Sequence, residues 1–210
     1  MLGEPKRDRR AERHEATKAE ILGAAWDLCR AEGLAALSLR DLARAVGMRA
    51  PSLYSYFESK SAIYDAMFAQ AARQFVDGQP VEQRTGDTLE DLKLGLRYFV
   101  EFCTADVARY QLLFQRTVPG FEPSAASYAI AVDNLRELAD WFESVGLGGQ
   151  EALDLYTALA TGLADQQISN DPGGDRWLRL VDDAAEMYAC HMEARTTAAG
   201  SAARKRRTRR

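Results

Sequence analysis

Residues 49–60 carry side chains whose chemistry suits a polyanion. The run contains Arg49, Ser52, Tyr54, Tyr56 and Lys60. An arginine can donate two hydrogen bonds to one guanine, while seryl and tyrosyl hydroxyls can donate to phosphate oxygens. Lys60 follows Ser59, a predicted helix N-cap, and the free N–H groups of a helix N-terminus also favour a phosphate. The run therefore predicts contacts with nucleic acid.

A helix, a glycine turn and a second helix would position these side chains. Ser38 followed by Asp41 resembles a capping box, which lets a helix of about two turns begin. Gly47 can adopt the left-handed conformation that ends this helix, and Pro51 suits the first turn of the next one. Residues 38–57 therefore predict a helix-turn-helix whose second helix enters the major groove of DNA. Two helices and a glycine alone more often form a plain helical hairpin, so the polar run carries the prediction.

Helical periodicity continues along most of the chain. Apolar residues recur every three or four positions, and no stretch alternates as a half-buried strand would. The pattern predicts an all-α fold of about nine helices, the first beginning near Thr17 and the third covering 50–57. An N-terminal three-helix DNA-binding domain would precede a helical domain for ligand binding and dimerisation. The expected parts are a disordered arm at 1–14, the DNA-binding domain at 15–76, the effector-binding and dimerisation domain at 77–195, and a basic disordered tail at 196–210.

Charge is distributed unevenly along the chain. The balance of Lys and Arg against Asp and Glu is +2 over residues 1–60, −13 over 61–194 and +7 over 195–210. A strongly acidic body would repel DNA, so the front of the chain is the part expected to approach it. The basic tail could bind DNA non-specifically or stay solvated, and the sequence leaves both open.

Several classes of protein are disfavoured by the residues present. The three cysteines and two histidines show no spacing typical of a metal site, a disulfide framework or a catalytic triad. No glycine-rich phosphate loop is present, so we expect no metal, no cofactor and no enzymatic activity. No apolar run approaches the roughly 18 residues of a membrane span, and the charged N-terminus does not resemble a signal peptide. We therefore expect a cytoplasmic protein with no membrane partner.

The segment Gly47-Met-Arg-Ala-Pro-Ser-Leu-Tyr-Ser-Tyr-Phe-Glu-Ser-Lys60 resembles the signature of the TetR family of bacterial transcriptional repressors. In that family a glycine turn leads into a Leu-Tyr-x-Tyr/His-Phe recognition helix, and a lysine opens the fourth helix. Residues 21–33 are similar to the family's first helix, so the resemblance covers about residues 15–75. The rest of the chain matches only in length and helical pattern.

The resemblance implies a homodimer with two DNA-reading heads and a body that binds a small-molecule effector. It implies phosphate contacts for Tyr54, Tyr56 and Lys60. It places Arg40, Arg49 and Ser52 near or on base edges. Arg49 is a departure from the family, which usually has Ser or Thr to cap the recognition helix at this position.

Aromatic and polar residues of the body are candidates for an effector pocket, since ligand sites are mostly apolar with a few polar groups. The alternative for each aromatic residue is ordinary core packing. The candidates are Phe99, Phe102, Cys103, Tyr110, Gln111, Phe114, Tyr128, Asn134, Trp141 and Gln166.

The last two long helical segments suggest a dimer interface, because small residues at helical spacing allow close approach and a second copy could complete a four-helix bundle. Burial within one protomer is the alternative. The candidates are Leu155, Ala158, Leu159, Gly162, Trp177, Val181, Ala184, Met187 and Tyr188.

The combined expectation is a homodimeric DNA-binding regulator, a repressor released from its operator by a small molecule. The first alternative is a DNA-binding activator or architectural factor without an effector. The second is an enzyme that uses the helical body as its active site.

Overall fold

The computed structural model describes residues 9–207, with the backbone alone for residue 196 and residues 198–207. Over this range it contains nine α-helices, three short 3₁₀ helices and no strand, which confirms the all-α prediction. The α-helices are α1 (Arg9–Glu32), α2 (Leu39–Ala45), α3 (Ala50–Leu53), α4 (Lys60–Asp77), α5 (Thr88–Ala105), α6 (Val107–Phe114), α7 (Ala125–Ser144), α8 (Gln150–Asn170) and α9 (Val181–Arg207). The 3₁₀ helices are Leu34–Ala36, Val81–Gln83 and Leu178–Leu180.

Three helix boundaries differ from the expected ones. α1 begins at Arg9, so residues 9–14 are helical and not part of a disordered arm. α9 continues to Arg207, through most of the tail expected to be disordered at 196–210. Both extensions are rich in Ala, Arg and Glu or Lys, and lengthening an existing helix requires no new nucleus. Residues 1–8 and 208–210 lie outside the described part of the chain. α3 ends after four residues, well before residue 57.

The chain divides into two compact units. The N-terminal unit comprises residues up to 74 together with 106–131, and the C-terminal unit comprises 75–105 and the residues from 132 onwards. The expected boundary near residue 76 is therefore incomplete, because α6 and the first part of α7 belong to the N-terminal unit. Ala108 and Leu112 of α6 are buried in the same core as the N-terminal helices.

The core of the N-terminal unit is formed by one apolar face from each of its longer helices. Ile21 of α1, Leu42 of α2, and Ile63 and Met67 of α4 are completely buried. Leu53, the last residue of α3, is also buried in this cluster. The core thus fixes α2 and α3 against α1 and α4, which determines how the helix-turn-helix is presented.

The core of the C-terminal unit is built around α5, α8 and α9. Leu92, Leu96 and Val100 of α5 are completely buried. The rings of Tyr156 and Tyr188 lie 5.5 Å apart, and their hydroxyls donate to the Leu92 and Ala152 carbonyls, each at 2.9 Å. Burial raises the pKa of Tyr188 to about 12. The ring contact and the hydrogen bonds show that both tyrosines stabilise this core.

Three residues expected at a dimer interface are buried in this core instead. Val181 is completely buried, and Ala184 and Tyr188 are 8% and 5% exposed. They lie on the side of α9 that packs against the rest of the C-terminal unit, so their side chains offer no surface to a second copy. The periodicity of the sequence marks an apolar stripe on α9 without showing which part the protomer buries itself.

No helix within residues 9–207 is both long enough and apolar enough to cross a membrane.

Candidate nucleic-acid interface

The first helix of the motif begins at a side-chain cap. Ser38 has an extended backbone, with φ −117° and ψ 130°, and its hydroxyl accepts a hydrogen bond from the Asp41 N–H at 3.4 Å. Asp41 also pairs with Arg44 one turn later, with an N···O distance of 2.6 Å. A carboxylate in the first turn and a cation in the last turn both suit the helix dipole. These contacts account for a stable helix of only seven residues.

The turn after α2 depends on Gly47. Its φ of +66° lies in the left-handed region, where a side chain would cost about 1–2 kcal/mol. The Met48 N–H donates to the Ala43 carbonyl at 2.8 Å, and the Gly47 N–H donates to the Arg44 carbonyl at 3.2 Å. This pair of bonds is the Schellman pattern of helix termination. The chain therefore reverses sharply and starts α3 within a few residues.

The second helix of the motif is short, and buried apolar side chains hold it against the core. Arg49 is its N-cap residue but makes no side-chain capping bond, while Pro51 occupies the first turn, where its missing N–H costs nothing. The Tyr56 and Phe57 N–H groups both donate to the Leu53 carbonyl at 2.9 Å, which continues the segment as a turn. Leu53 and Phe57 are buried. Residues 49–57, called the reading segment below, thus present their polar side chains on the opposite side.

The side chains expected to contact DNA have different degrees of exposure. Arg40, Arg49, Ser52 and Tyr54 are exposed, and Tyr56 and Lys60 are half-buried. The Lys60 Nζ lies 5.5 Å from the centroid of the Tyr64 ring. Ser59 caps α4 as expected, since its Oγ accepts from the Ala62 N–H at 3.0 Å. The structure therefore brings five of the six to the reading segment and the start of α4, while their contact with DNA stays a prediction.

The Tyr64 ring, which lies beside the Lys60 ammonium, is held by a buried hydrogen bond. Tyr64 is buried, and its hydroxyl donates to the Leu34 carbonyl in the 3₁₀ turn that follows α1. Burial raises the pKa of Tyr64 to about 12 and that of the nearby Cys29 thiol to about 11. Both groups therefore stay protonated at neutral pH, and neither supplies a nucleophile.

One contact to the reading segment has no signal in the sequence. His14 of α1 stacks on Tyr56, with ring centroids 4.8 Å apart and planes inclined by 25°. Its Nε2 lies 3.4 Å from the Ser55 carbonyl oxygen, although the two residues are 41 positions apart. The sequence predicts residue 14 within a disordered arm, and only the extension of α1 to Arg9 brings it here.

Two carboxylates tie α6 and α7 to the N-terminal helices. Asp106, the N-cap of α6, accepts from Arg30 of α1 at 2.8 and 3.0 Å. Asp65 of α4 accepts from the Ser124 N–H at 2.6 Å and from the Ser127 hydroxyl at 2.8 Å at the start of α7. Because Asp106 is 8% exposed, these donors satisfy carboxylate oxygens that have little access to water. Any movement of α6 would therefore act directly on α1.

The ten residues expected to line an effector pocket are divided between the two units. Tyr110, Gln111, Phe114 and Tyr128 belong to the N-terminal unit, and the other six belong to the C-terminal unit. Cys103 and Tyr110 are buried, whereas Phe114 and Tyr128 are 39% and 54% exposed. The pocket stays a prediction.

Within the C-terminal unit, several of these residues have ordinary packing partners. Phe102 lies 5.0 Å from Phe75 between ring centroids, and the Trp141 ring lies 4.6 Å from the Arg84 guanidinium. The unit also holds an open cavity of about 440 Å³ lined by residues that include Leu89, Leu92 and Met192. None of the ten expected residues lines this cavity.

Comparison with known proteins assigns the motif. Residues 21–67 match the model of the bacterial regulatory proteins of the tetR family. A search of curated protein sequences found no match. The family match covers α1 from Ile21, the whole helix-turn-helix and the first part of α4, and thus includes the reading segment and Lys60.

Solved structures share the fold over most of the chain. A regulatory protein designated SCO4313 aligns at TM-score 0.69 and 20% identity, over 85% of this chain and 97% of that one. The TetR family transcriptional regulator PfmR from Thermus thermophilus aligns at TM-score 0.59 and 20% identity, over 80% and 96%. FadR from Bacillus subtilis, solved with stearoyl-CoA, aligns at TM-score 0.65 and 16% identity, over 81% and 96%. Residues 21–67 therefore match the tetR family of bacterial regulatory proteins, and the described part of the chain has a TetR-like all-helical fold with an N-terminal helix-turn-helix.

Proposed function

We propose that this protein is a homodimeric transcriptional repressor that leaves its operator when a small molecule binds. The observation that carries the proposal is the reading segment, in which buried Leu53 and Phe57 fix a turn that exposes Arg49, Ser52 and Tyr54. A short, rigidly anchored helix with guanidinium and hydroxyl groups on its outer side suits the major groove. In a bacterial cell this activity belongs in the cytoplasm, with the DNA.

The exposed faces of α8 and α9 support dimerisation. Leu155 and Met187 are 40% and 63% exposed, and Ala158 and Gly162 lie on the same exposed side of α8 as Leu155. A Cβ atom added to Gly162 would meet nothing within 4 Å. The protomer therefore leaves a small-residue strip with apolar neighbours uncovered, which a second copy could cover with the same strip. Two reading segments could then occupy successive major grooves, about 34 Å apart.

Two observations support an effector, one from a related fold and one from the hydrogen bonds of the N-terminal unit. FadR from Bacillus subtilis, which shares this fold, was solved with stearoyl-CoA. In the present chain, Arg30–Asp106 and Asp65–Ser124 tie α6 and α7 to α1 and α4. A ligand that moved α6 or α7 would strain these bonds and shift the helix-turn-helix. Typical coupling between two sites changes affinity about 5- to 150-fold.

Selection from a random pool of duplexes tests the DNA-binding part of the proposal. The full-length protein should enrich an inverted repeat with half-sites about one helical turn apart, because two symmetric heads read the same sequence in opposite directions. Enrichment of a single half-site would contradict the dimer. No enrichment over an unselected pool would overturn the proposal itself.

A reporter assay distinguishes repression from its alternatives. The selected duplex is placed between a promoter and a reporter gene in a heterologous host, with a scrambled duplex as the control. Co-expression of the protein should lower reporter output from the selected duplex only. A rise would show an activator, and unchanged output would favour an architectural factor.

A further inference from the structure

The stack of His14 on Tyr56 adds a contact from α1 to the part of the reading segment that lies between its two buried anchors. Leu53 and Phe57 anchor this segment from below, since both are buried. α3 itself is four residues long, and a helix this short has no stability of its own. Between these anchors, Tyr56 packs partly against the core and also receives a contact from α1.

His14 contacts two successive residues of that segment. Its ring lies 4.8 Å from the Tyr56 ring between centroids, and its Nε2 lies 3.4 Å from the Ser55 carbonyl oxygen. The other ring nitrogen, Nδ1, lies 3.5 Å from the Glu15 carboxylate. The imidazole N–H can donate to the Ser55 carbonyl or to the Glu15 carboxylate according to its tautomer, and the stacked ring restricts the position of the Tyr56 ring.

The location of the His14–Tyr56 stack argues against a role in protein stability alone. The His14 side chain is 42% exposed, and Tyr56 is half-buried at the edge of the N-terminal core, so the stack lies at the surface and outside the buried core. Within residues 9–207 the Tyr56 hydroxyl has no hydrogen-bond partner. The stack thus orders a ring whose polar end stays available. Ordering a side chain before binding lowers the entropic cost of the contact it later makes.

We propose that His14 is a positioning residue for DNA binding, which holds the Tyr56 ring so that its hydroxyl meets a DNA phosphate. This inference rests on the proposed function and extends the DNA-binding surface to α1. His14 acts through Tyr56 and needs no DNA contact of its own.

A double-mutant cycle on the full-length protein tests the inference. The probe is a labelled duplex selected from a random pool by the wild-type protein, and its affinity is measured by fluorescence anisotropy. His14→Ala should weaken binding about 3- to 10-fold. The same change in a Tyr56→Phe background should cost less than about 2-fold, because the hydroxyl to be positioned is already absent. His14→Phe, which keeps a stacked ring, should restore most of the lost affinity.

The controls distinguish positioning from loss of stability. Thermal unfolding of His14→Ala shows whether the N-terminal unit remains folded, and Glu20→Ala provides a matched change at another exposed position of α1. Equal costs of His14→Ala with and without the Tyr56 hydroxyl would overturn the inference, as would wild-type affinity in His14→Ala. If the wild-type protein selects no duplex at all, the proposed function fails, and the inference fails with it.

Discussion

At the start of α4, the Lys60 ammonium lies close to both an aromatic ring and the N-terminus of the helix. Its Nζ lies 5.5 Å from the centroid of the buried Tyr64 ring, an arrangement worth about 0.5–1 kcal/mol at a partly exposed site. The adjacent N–H groups of α4 would favour an anion at the same place. The aromatic ring thus holds the ammonium near the helix N-terminus without neutralising it. This is the arrangement expected of a phosphate contact that carries no sequence information.

We expect Lys60→Ala to weaken binding about equally on the selected duplex and on an unrelated duplex. The slope of log affinity against log salt concentration should fall by about 1, because one fewer counterion is released from the DNA. Anisotropy titrations at several salt concentrations measure this slope. Arg73→Ala is the matched control, since Arg73 is an exposed cation about 20 Å further along α4. An unchanged slope in Lys60→Ala would exclude Lys60 from the interface.

At the scale of elements, the turn between α2 and α3 depends on one backbone conformation. Gly47 has φ +66°, and a Cβ atom added there would meet nothing within 4 Å. A substitution therefore costs backbone strain and no steric clash. Gly23 in α1 also has open space around it but has no positive φ. The two glycines form a matched pair that separates strain from packing.

Gly47→Ala should lower the free energy of unfolding by about 1–2 kcal/mol, whereas Gly23→Ala should raise it by about 0.5–1 kcal/mol. Urea denaturation followed by circular dichroism measures both changes. Gly47→Asn should lie between Gly47→Ala and the wild type, because asparagine tolerates the left-handed region better. If the two alanine variants shifted stability in the same direction, the strain at Gly47 would not be the controlling feature.

The sequence predicts elements well where local residues decide them. Ser38, Gly47, Pro51 and Ser59 mark helix starts and stops by their own chemistry, and the structure places α2, α3 and α4 accordingly. The sequence does not predict that α6 belongs with the N-terminal helices. That assignment rests on contacts between residues far apart in sequence, such as Arg30 and Asp106, which are 76 positions apart, and on the burial of Ala108 and Leu112 in the N-terminal core.

Some residues of the candidate site can likewise be predicted from local sequence, and others cannot. The reading segment can be predicted because its polar residues and buried anchors are adjacent in sequence. The His14 contact cannot, since it requires α1 to extend beyond its apolar repeat. Val181, Ala184 and Tyr188, expected at an interface, are buried within the protomer, because helical periodicity marks an apolar stripe but does not say what covers it. Leu155 and Met187, by contrast, are exposed in the folded protomer and remain candidates for the interface.

At the scale of the whole molecule, the proposed dimer requires the exposed small-residue strip of α8 to pack closely against a second copy. Gly162→Leu adds a large side chain where the protomer has open space, so the protomer should fold normally. In the dimer the same side chain would overpack the strip, at a cost of about 1–3 kcal/mol for each copy. Light scattering after size-exclusion chromatography should show a shift towards monomer. Glu137→Leu, which adds a leucine at an exposed position of α7, is the control, and a dimer as stable as wild type in Gly162→Leu would place the interface elsewhere.

The contrast in charge along the chain leads to a prediction about the effector. Residues 61–194 carry a balance of −13, so most of the body repels DNA and is expected to contribute by holding two reading segments in register. An effector would then weaken DNA binding by favouring a conformation in which the two are wrongly spaced.

Thermodynamic linkage makes this testable once a thermal-shift screen has found a small molecule that stabilises the protein. That compound should lower affinity for the selected duplex by about 5- to 150-fold, and the duplex should lower affinity for the compound by the same factor. Calorimetric titration of the compound with and without the selected duplex measures the second factor, and anisotropy measures the first. An unrelated duplex of equal length, at a concentration that leaves it unbound, is the control. Equal affinity for the compound in both titrations would mean that it does not couple to DNA binding, and the repressor would then have to be regulated by other means.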